Sequence, residues 1–146
     1  MDKLSKTMIN KITSDYNEME ALNFALKLNK HMKNIFDCLG GEFEESIYIN
    51  SLCNDLINNK FSVLKDMSAS VIYDFREVGP LKVSIMVNQI YLVEVKKIED
   101  SKEKDKEKRK MKKMLEIFKN DNNYHSIISA FIINVRLDRY EIITVQ

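Results

Sequence analysis

Apolar positions recur every three or four residues through the first third of the chain, every second residue through its middle, and at helical spacing again before two final apolar runs. The pattern predicts helices, then strands, then a helix, then strands. Leu4, Met8, Ile12, Tyr16 and Met19 step by four or three, which predicts a short amphipathic helix over residues 4–19. A second helix is expected over 20–38, carrying Leu22, Leu26, Met32, Ile35 and Phe36, with Gly40-Gly41 ending it. A third, over 42–59, opens with Glu42, Glu44 and Glu45, acids that a helix dipole favours in a first turn. After Lys60 the period changes from helical to alternating. Residues 61–67 and 71–78 read as strands, and Gly79-Pro80 is expected to break the chain. Next come two β-branched runs, 81–87 and 90–95, parted by Asn88-Gln89 and read as a central hairpin. The basic run from Ser101 grades into an amphipathic helix ending near Asn120, carried by Met111, Met114, Leu115 and Phe118, and a turn at Asp121-Asn122-Asn123 and strands over 127–135 and 140–145 complete the prediction.

Charge enters this pattern at three places. On the second arm of the hairpin, Glu94 and Lys96 share one face with Ile90 and Leu92, although both faces are otherwise apolar. An unpaired charge on such a strand is costly, so Glu94 needs a partner or a use. A plain Glu-Lys pair at a strand end also accounts for the spacing. Glu45 lies three, seven and eleven residues before Tyr48, Leu52 and Leu56, in line with the apolar stripe of its helix. It is therefore expected to face inward, toward Glu94 or Lys96. From Ser101 to Lys113 the run SKEKDKEKRKMKK holds eight basic and three acidic residues. A solvated helix face explains such a run; a phosphate-contacting edge is the functional alternative, with Lys108, Arg109, Lys110, Lys112 and Lys113 as the contacts.

Composition narrows the classes. The 146 residues, 45% hydrophobic, suit one domain with a real core: the first helix over 1–19 as an arm, and an α/β unit over 20–146. A net charge of +1 supplies no global field for nucleic acid or membrane, so any attraction must be local. No apolar run reaches signal or membrane-spanning length, and an intracellular, soluble protein is expected, with cytoplasm, nucleus and virion not distinguished. Cys38 and Cys53 are too few for a disulfide framework or a zinc site and are read as reduced core residues. His31 is read as a surface or capping residue.

The order helix, Glu-bearing helix, strands with E-x-K, helix, strand resembles the PD-(D/E)XK nuclease-like fold. More narrowly, LGGEFEESIY at 39–48, followed by LCNDL, VEVK and FIINV, resembles the GxxExxY protein family over roughly residues 22–140. The resemblance implies a restriction-endonuclease-like core, a mixed sheet of about four to six strands flanked by helices. Glu45 and Tyr48 match the family's E and Y, Glu94 and Lys96 its E-x-K, and Asn134 an Asn of the last core strand. Three positions depart: Glu42 stands for the second glycine, Phe36 for a His, and Ser84 for the Asp expected ten residues before the E of E-x-K.

In such nucleases, the resemblance implies, the Asp and Glu hold a divalent metal and the Lys positions or activates the attacking water. With Ser84 offering only a hydroxyl, the expectation is a non-catalytic module associated with nucleic acid or protein, requiring no cofactor. The rival is a weak Mg²⁺- or Mn²⁺-dependent nuclease using Glu45, Glu94 and Lys96, with Asp74 or Glu77 replacing the lost ligand. A structural protein, forming homo-oligomers or gripping other proteins through its first helix, is the third reading.

Overall fold

The structure is a computed structural model that describes residues 3–124 and 126–146. Its first helix, α1, runs unbroken from Lys3 to Leu39. Two helices meeting near residue 20 were expected. No glycine or proline interrupts EMEALNFAL, and strong helix formers on either side of Asn23 carry the turn straight through. Ala21, Phe24, Leu28, Met32 and Ile35 are buried on one face, whereas residues 5–16 are exposed all round. The side chain of Leu4 lies outside the described residues. Helix α2, Glu45–Asn58, packs Tyr48, Leu52, Cys53 and Leu56 into the same core. His31 is buried rather than at the surface, its Nδ1 3.8 Å from Asp55 Oδ2 on α2. Cys53 is buried, but Cys38, expected in the core, is exposed at the end of α1.

Strand β1, Val63–Tyr73, and β2, Arg76–Val87, form a long hairpin turning at Asp74 and Phe75, both at positive φ. The strands expected over 61–67 and 71–78 divide elsewhere: Ser68, Ala69 and Ser70 continue β1, and the chain turns at Asp74-Phe75 within the second expected strand. Gly79-Pro80 does not end a strand. It lies within β2, paired with Val71 and Ser70 beside a register shift at Val71/Ile72. The central hairpin forms as expected: β2 ends at Val87, β3 runs Tyr91–Lys96, and Asn88 (φ 53°) and Gln89 (φ 58°) make the turn. Asn88 ties it down, its Oδ1 accepting from the Ser62 N–H at 2.9 Å.

Helix α3, Ser101–Asn120, then crosses over, so that β4, Ser129–Val135, pairs parallel to β3; β5, Tyr140–Val145, returns antiparallel. The described strands make one mixed sheet in the order β1-β2-β3-β4-β5. Helices α1 and α2 cover one face, over Ile85, Val87, Val93, Val95, Phe131 and Ile133. Helix α3 covers the other, over Met86, Leu92, Ala130 and Ile132. Among the described residues no helix is long and apolar enough to cross a membrane.

The sheet kinks at one place. Lys65 pairs with Ile85 and Met67 with Val83, but Asp66 between them has φ 56°. Ile85 packs on the α1/α2 side and Lys65 reaches α2, donating to Asn50 at 2.6 Å. Val83 and Met67, two residues on, pack on the α3 side. Regular alternation would keep i and i+2 on one face. Both strands therefore change face at Asp66 and Ser84.

Candidate functional site

The ladder between β2 and β3 holds through Val87↔Tyr91, Met86↔Leu92 and Ile85↔Val93, and the next position is Ser84 opposite Glu94. There the side chain of Glu94 takes the place of a backbone partner. The Ser84 N–H donates to Glu94 Oε1 at 2.7 Å, and Ser84 Oγ donates to Oε2 at 2.7 Å. Glu94 is buried, so these two charge-assisted bonds answer the cost of placing a carboxylate in the sheet.

Just beyond this bond pair lies a cavity of about 230 Å³, lined by Lys82, Ser84, Glu94, Lys96, Glu107 and Lys110 above an apolar floor that includes Met111 and Ile132. Ser84, Glu94 and Lys96 thus share one face, the one under α3. Lys96 Nζ lies 4.0 Å from Glu107 Oε2, and both side chains are partly buried. Glu107 was not singled out in the sequence. It lies four and seven residues before Met111 and Met114, and that helical spacing was the available signal. A run of eight cations concealed it.

Glu45 is not in this cavity. It is exposed at the start of α2, on the helix layer of the opposite face, and makes no ion pair or side-chain hydrogen bond among the described residues. The stripe behind it is real, since Tyr48, Leu52 and Leu56 are fully buried. A first-turn side chain, however, leans back past the helix end and leaves the packed layer. The expected Glu45–Lys96 pair is replaced by Glu107–Lys96. Asp74 and Glu77 are also elsewhere. Asp74 is in the β1/β2 turn, and Glu77, bonded by Ser70 Oγ at 3.1 Å, sits seven residues along β2 from Ser84, roughly 20 Å away.

The glycine-to-tyrosine segment before and within α2 does structural work here. The Tyr48 hydroxyl donates to Gly40 O at 2.6 Å and accepts the Phe43 N–H at 3.2 Å. Lys97 Nζ donates to Gly41 O at 2.5 Å and Phe43 O at 2.8 Å, tying this loop to the end of β3. Gly41 leaves no room for a side chain, because a Cβ would meet Arg136 O at 1.8 Å. Asn134, fully buried on β4, accepts the Ile98 N–H at 2.8 Å and donates to Ile98 O at 3.0 Å, holding the chain where it leaves β3.

In the basic run, Lys108, Arg109, Lys110, Lys112 and Lys113 are all exposed on α3. Lys110 reaches the cavity, while Lys108, Arg109 and Lys112 border a groove with Thr144, Val145 and Gln146. Lys113 pairs with Glu116 at 3.7 Å; the other four form no ion pair among the described residues.

The donor set does not suit a divalent metal of the kind this fold employs. Both Glu94 oxygens face hydrogen-bond donors of Ser84, and Glu107 faces the Lys96 ammonium. Among the described residues no three His, Cys, Asp or Glu side chains converge as a metal site. A hard cation prefers several anionic or carbonyl oxygens, and of the two carboxylates here one already accepts two hydrogen bonds and the other faces an ammonium.

Comparison with known proteins agrees with this architecture. The family model of the PD-(D/E)XK nuclease superfamily matches residues 23–124, from within α1 to just past α3. No curated protein and no solved structure matches the chain significantly. With the five-stranded mixed sheet, the E-x-K on its third strand and this match over most of its length, the chain belongs to the PD-(D/E)XK nuclease superfamily.

Proposed function

We propose that this protein binds the phosphate backbone of nucleic acid without cutting it. The observation that carries the reading is the Ser84–Glu94 bond pair, which puts a hydroxyl where a second metal-binding carboxylate would be needed and engages both oxygens of the E-x-K carboxylate at 2.7 Å within the sheet. Lys82 and Lys110 beside the same cavity and the other cations along α3 are the groups offered to phosphate oxygens, while Lys96 is held by Glu107. Contacts of this kind position a strand without reading its bases, so binding is expected to be weakly selective and strongly dependent on salt.

The second reading, a slow metal-dependent nuclease, is favoured by one observation: two carboxylates, Glu94 and Glu107, line a cavity that also holds Lys96. One experiment separates the two. Fluorescence anisotropy with single- and double-stranded DNA and RNA over a salt series is run beside cleavage assays in Mg²⁺ and Mn²⁺. Binding without cleavage is expected. Replacing Lys108, Arg109, Lys110, Lys112 and Lys113 by Gln should weaken binding alike for all sequences and flatten its salt slope. Cleavage that vanishes in Glu94→Gln would establish the nuclease reading, and an unchanged slope in the five-fold variant would remove α3 from the interface.

A further inference from the structure

Helix α1 carries two apolar stripes. Ala21, Phe24, Leu28, Met32 and Ile35 are buried against the sheet. On the opposite side of the same helix Met8, Ile12, Met19, Leu22 and Leu26 stand 58–65% exposed, flanked by Ile9 and Tyr16. The angular step of 100° per residue places the centre of this second stripe about half a turn from the first. It is therefore not the edge of the core. The helix also outruns the buried core, since residues 5–16 are all exposed. A solvated helical extension of that length is marginal by itself.

We infer that the exposed stripe of α1 is the interface of a homodimer, in which α1 packs antiparallel against α1 of a second copy. Three features commit the surface to a second copy. First, positions 8, 12, 15, 19, 22 and 26 alternate steps of four and three, the seam of a coiled coil rather than a broad core face. Second, that spacing is symmetric about residue 17, so a two-fold axis at its level sets Met8 against Leu26 of the second copy, Ile12 against Leu22, and Asp15 against Met19. A patch that complements itself in this way closes as a dimer. Third, the area is sufficient: each of the seven apolar side chains offers on the order of 100 Å². Together they approach the roughly 800 Å² that a standard interface takes from each partner.

Charge selects the direction. In a parallel, in-register pair Asp15 would face Asp15 inside the seam, where like charges are least screened. Antiparallel packing staggers the two Asp15 side chains by four residues, about 6 Å along the axis, and sets Glu18 near its counterpart on the solvated rim, where salt screens the repulsion. Because the sheet lies on the far side of α1, the two domains point away from the shared axis and do not collide.

Sedimentation equilibrium on the full chain tests this directly. A dimer is expected, tightening as salt rises, and Ile12→Glu with Leu22→Glu should give a monomer whose thermal unfolding of the sheet domain and nucleic-acid binding per chain are retained. Direction is read by oxidative cross-linking in a Cys38→Ser background. Met8→Cys combined with Leu26→Cys should yield a covalent dimer, whereas Leu22→Cys alone should not. Covalent dimer from Leu22→Cys alone would overturn the antiparallel arrangement. A wild-type monomer throughout a concentration series reaching the millimolar range would overturn the dimer and leave the stripe to a different protein.

Discussion

Ser84 spends both of its hydrogen-bond donors on Glu94, one to each carboxylate oxygen, across the point where β2 and β3 part. A buried carboxylate in an otherwise apolar sheet is stable only with such partners, and Ser84 supplies them from the adjacent strand.

Removing the hydroxyl is therefore expected to be costly for so small a change. Ser84→Ala leaves Oε2 of a buried anion without its donor, and a loss of about 1.5–3 kcal/mol in denaturant unfolding is expected. A change below about 0.5 kcal/mol would mean that water replaces the hydroxyl and that Glu94 is less confined than its burial indicates.

Ser84→Asp reverses the chemistry of the position. Two carboxylates on adjacent strands repel each other, so the variant should be less stable than wild type in the absence of divalent ions. Mn²⁺ should restore it, because a cation binding only the folded state raises its stability by mass action. Thermal unfolding with and without Mn²⁺ reads the effect. The expected result is a midpoint that rises with Mn²⁺ in the variant and stays flat in wild type.

The two glycines that end α1 should respond differently to alanine. Gly41→Ala drives a Cβ into the Arg136 carbonyl at 1.8 Å, and backbone cannot step aside cheaply, so about 3 kcal/mol or more is expected. At Gly40 the space is open and only the left-handed φ of 69° opposes a side chain, for about 1–2 kcal/mol. Equal costs in chemical denaturation would show that the loop shifts to relieve Gly41.

Acid should loosen the far end of the sheet through Asp121. The Ser70 N–H at 2.8 Å and the Asn123 N–H at 2.9 Å hold its carboxyl below the ordinary 3.8. A depressed folded value contributes stability that is whole above pH 3.8 and is lost as pH falls through the folded value. Asp121→Asn, which keeps an acceptor but cannot titrate, should flatten the stability profile on the acid side of that point. Superimposable profiles would assign the acid response to other groups.

Local periodicity made much of this fold legible. The Asn88-Gln89 turn, the amphipathic end of α3 and both final strands could be read because their apolar spacing and the polar residues between them are local, whereas the Asp100 cap, which accepts from the Lys102 N–H at the start of α3, went unread. What could not be read depends on partners distant in sequence. The face change at Asp66 comes from a positive φ in a residue that is not glycine, for which composition carries no sign. Glu45 was misplaced because a stripe fixes azimuth but not whether a first-turn side chain clears the packed layer. Glu107 was readable from its spacing to Met111 and Met114, yet only the crossover of α3 onto the Ser84 face shows what that spacing serves.

That crossover also sets an order of assembly. Ser84 and Glu94 are ten residues apart in one antiparallel hairpin, so their bonds can form as soon as the Asn88-Gln89 turn closes. Lys110, Glu107 and Ile132, the remaining walls of the cavity, arrive only when β4 docks parallel to β3 after α3 has formed, and non-local pairing of that kind is slow. In stopped-flow refolding, Ser84→Ala should slow folding, whereas Ile132→Val should mainly speed unfolding. The carboxylate of this superfamily motif would then act first as an early staple of the sheet, ahead of any cavity for it to serve.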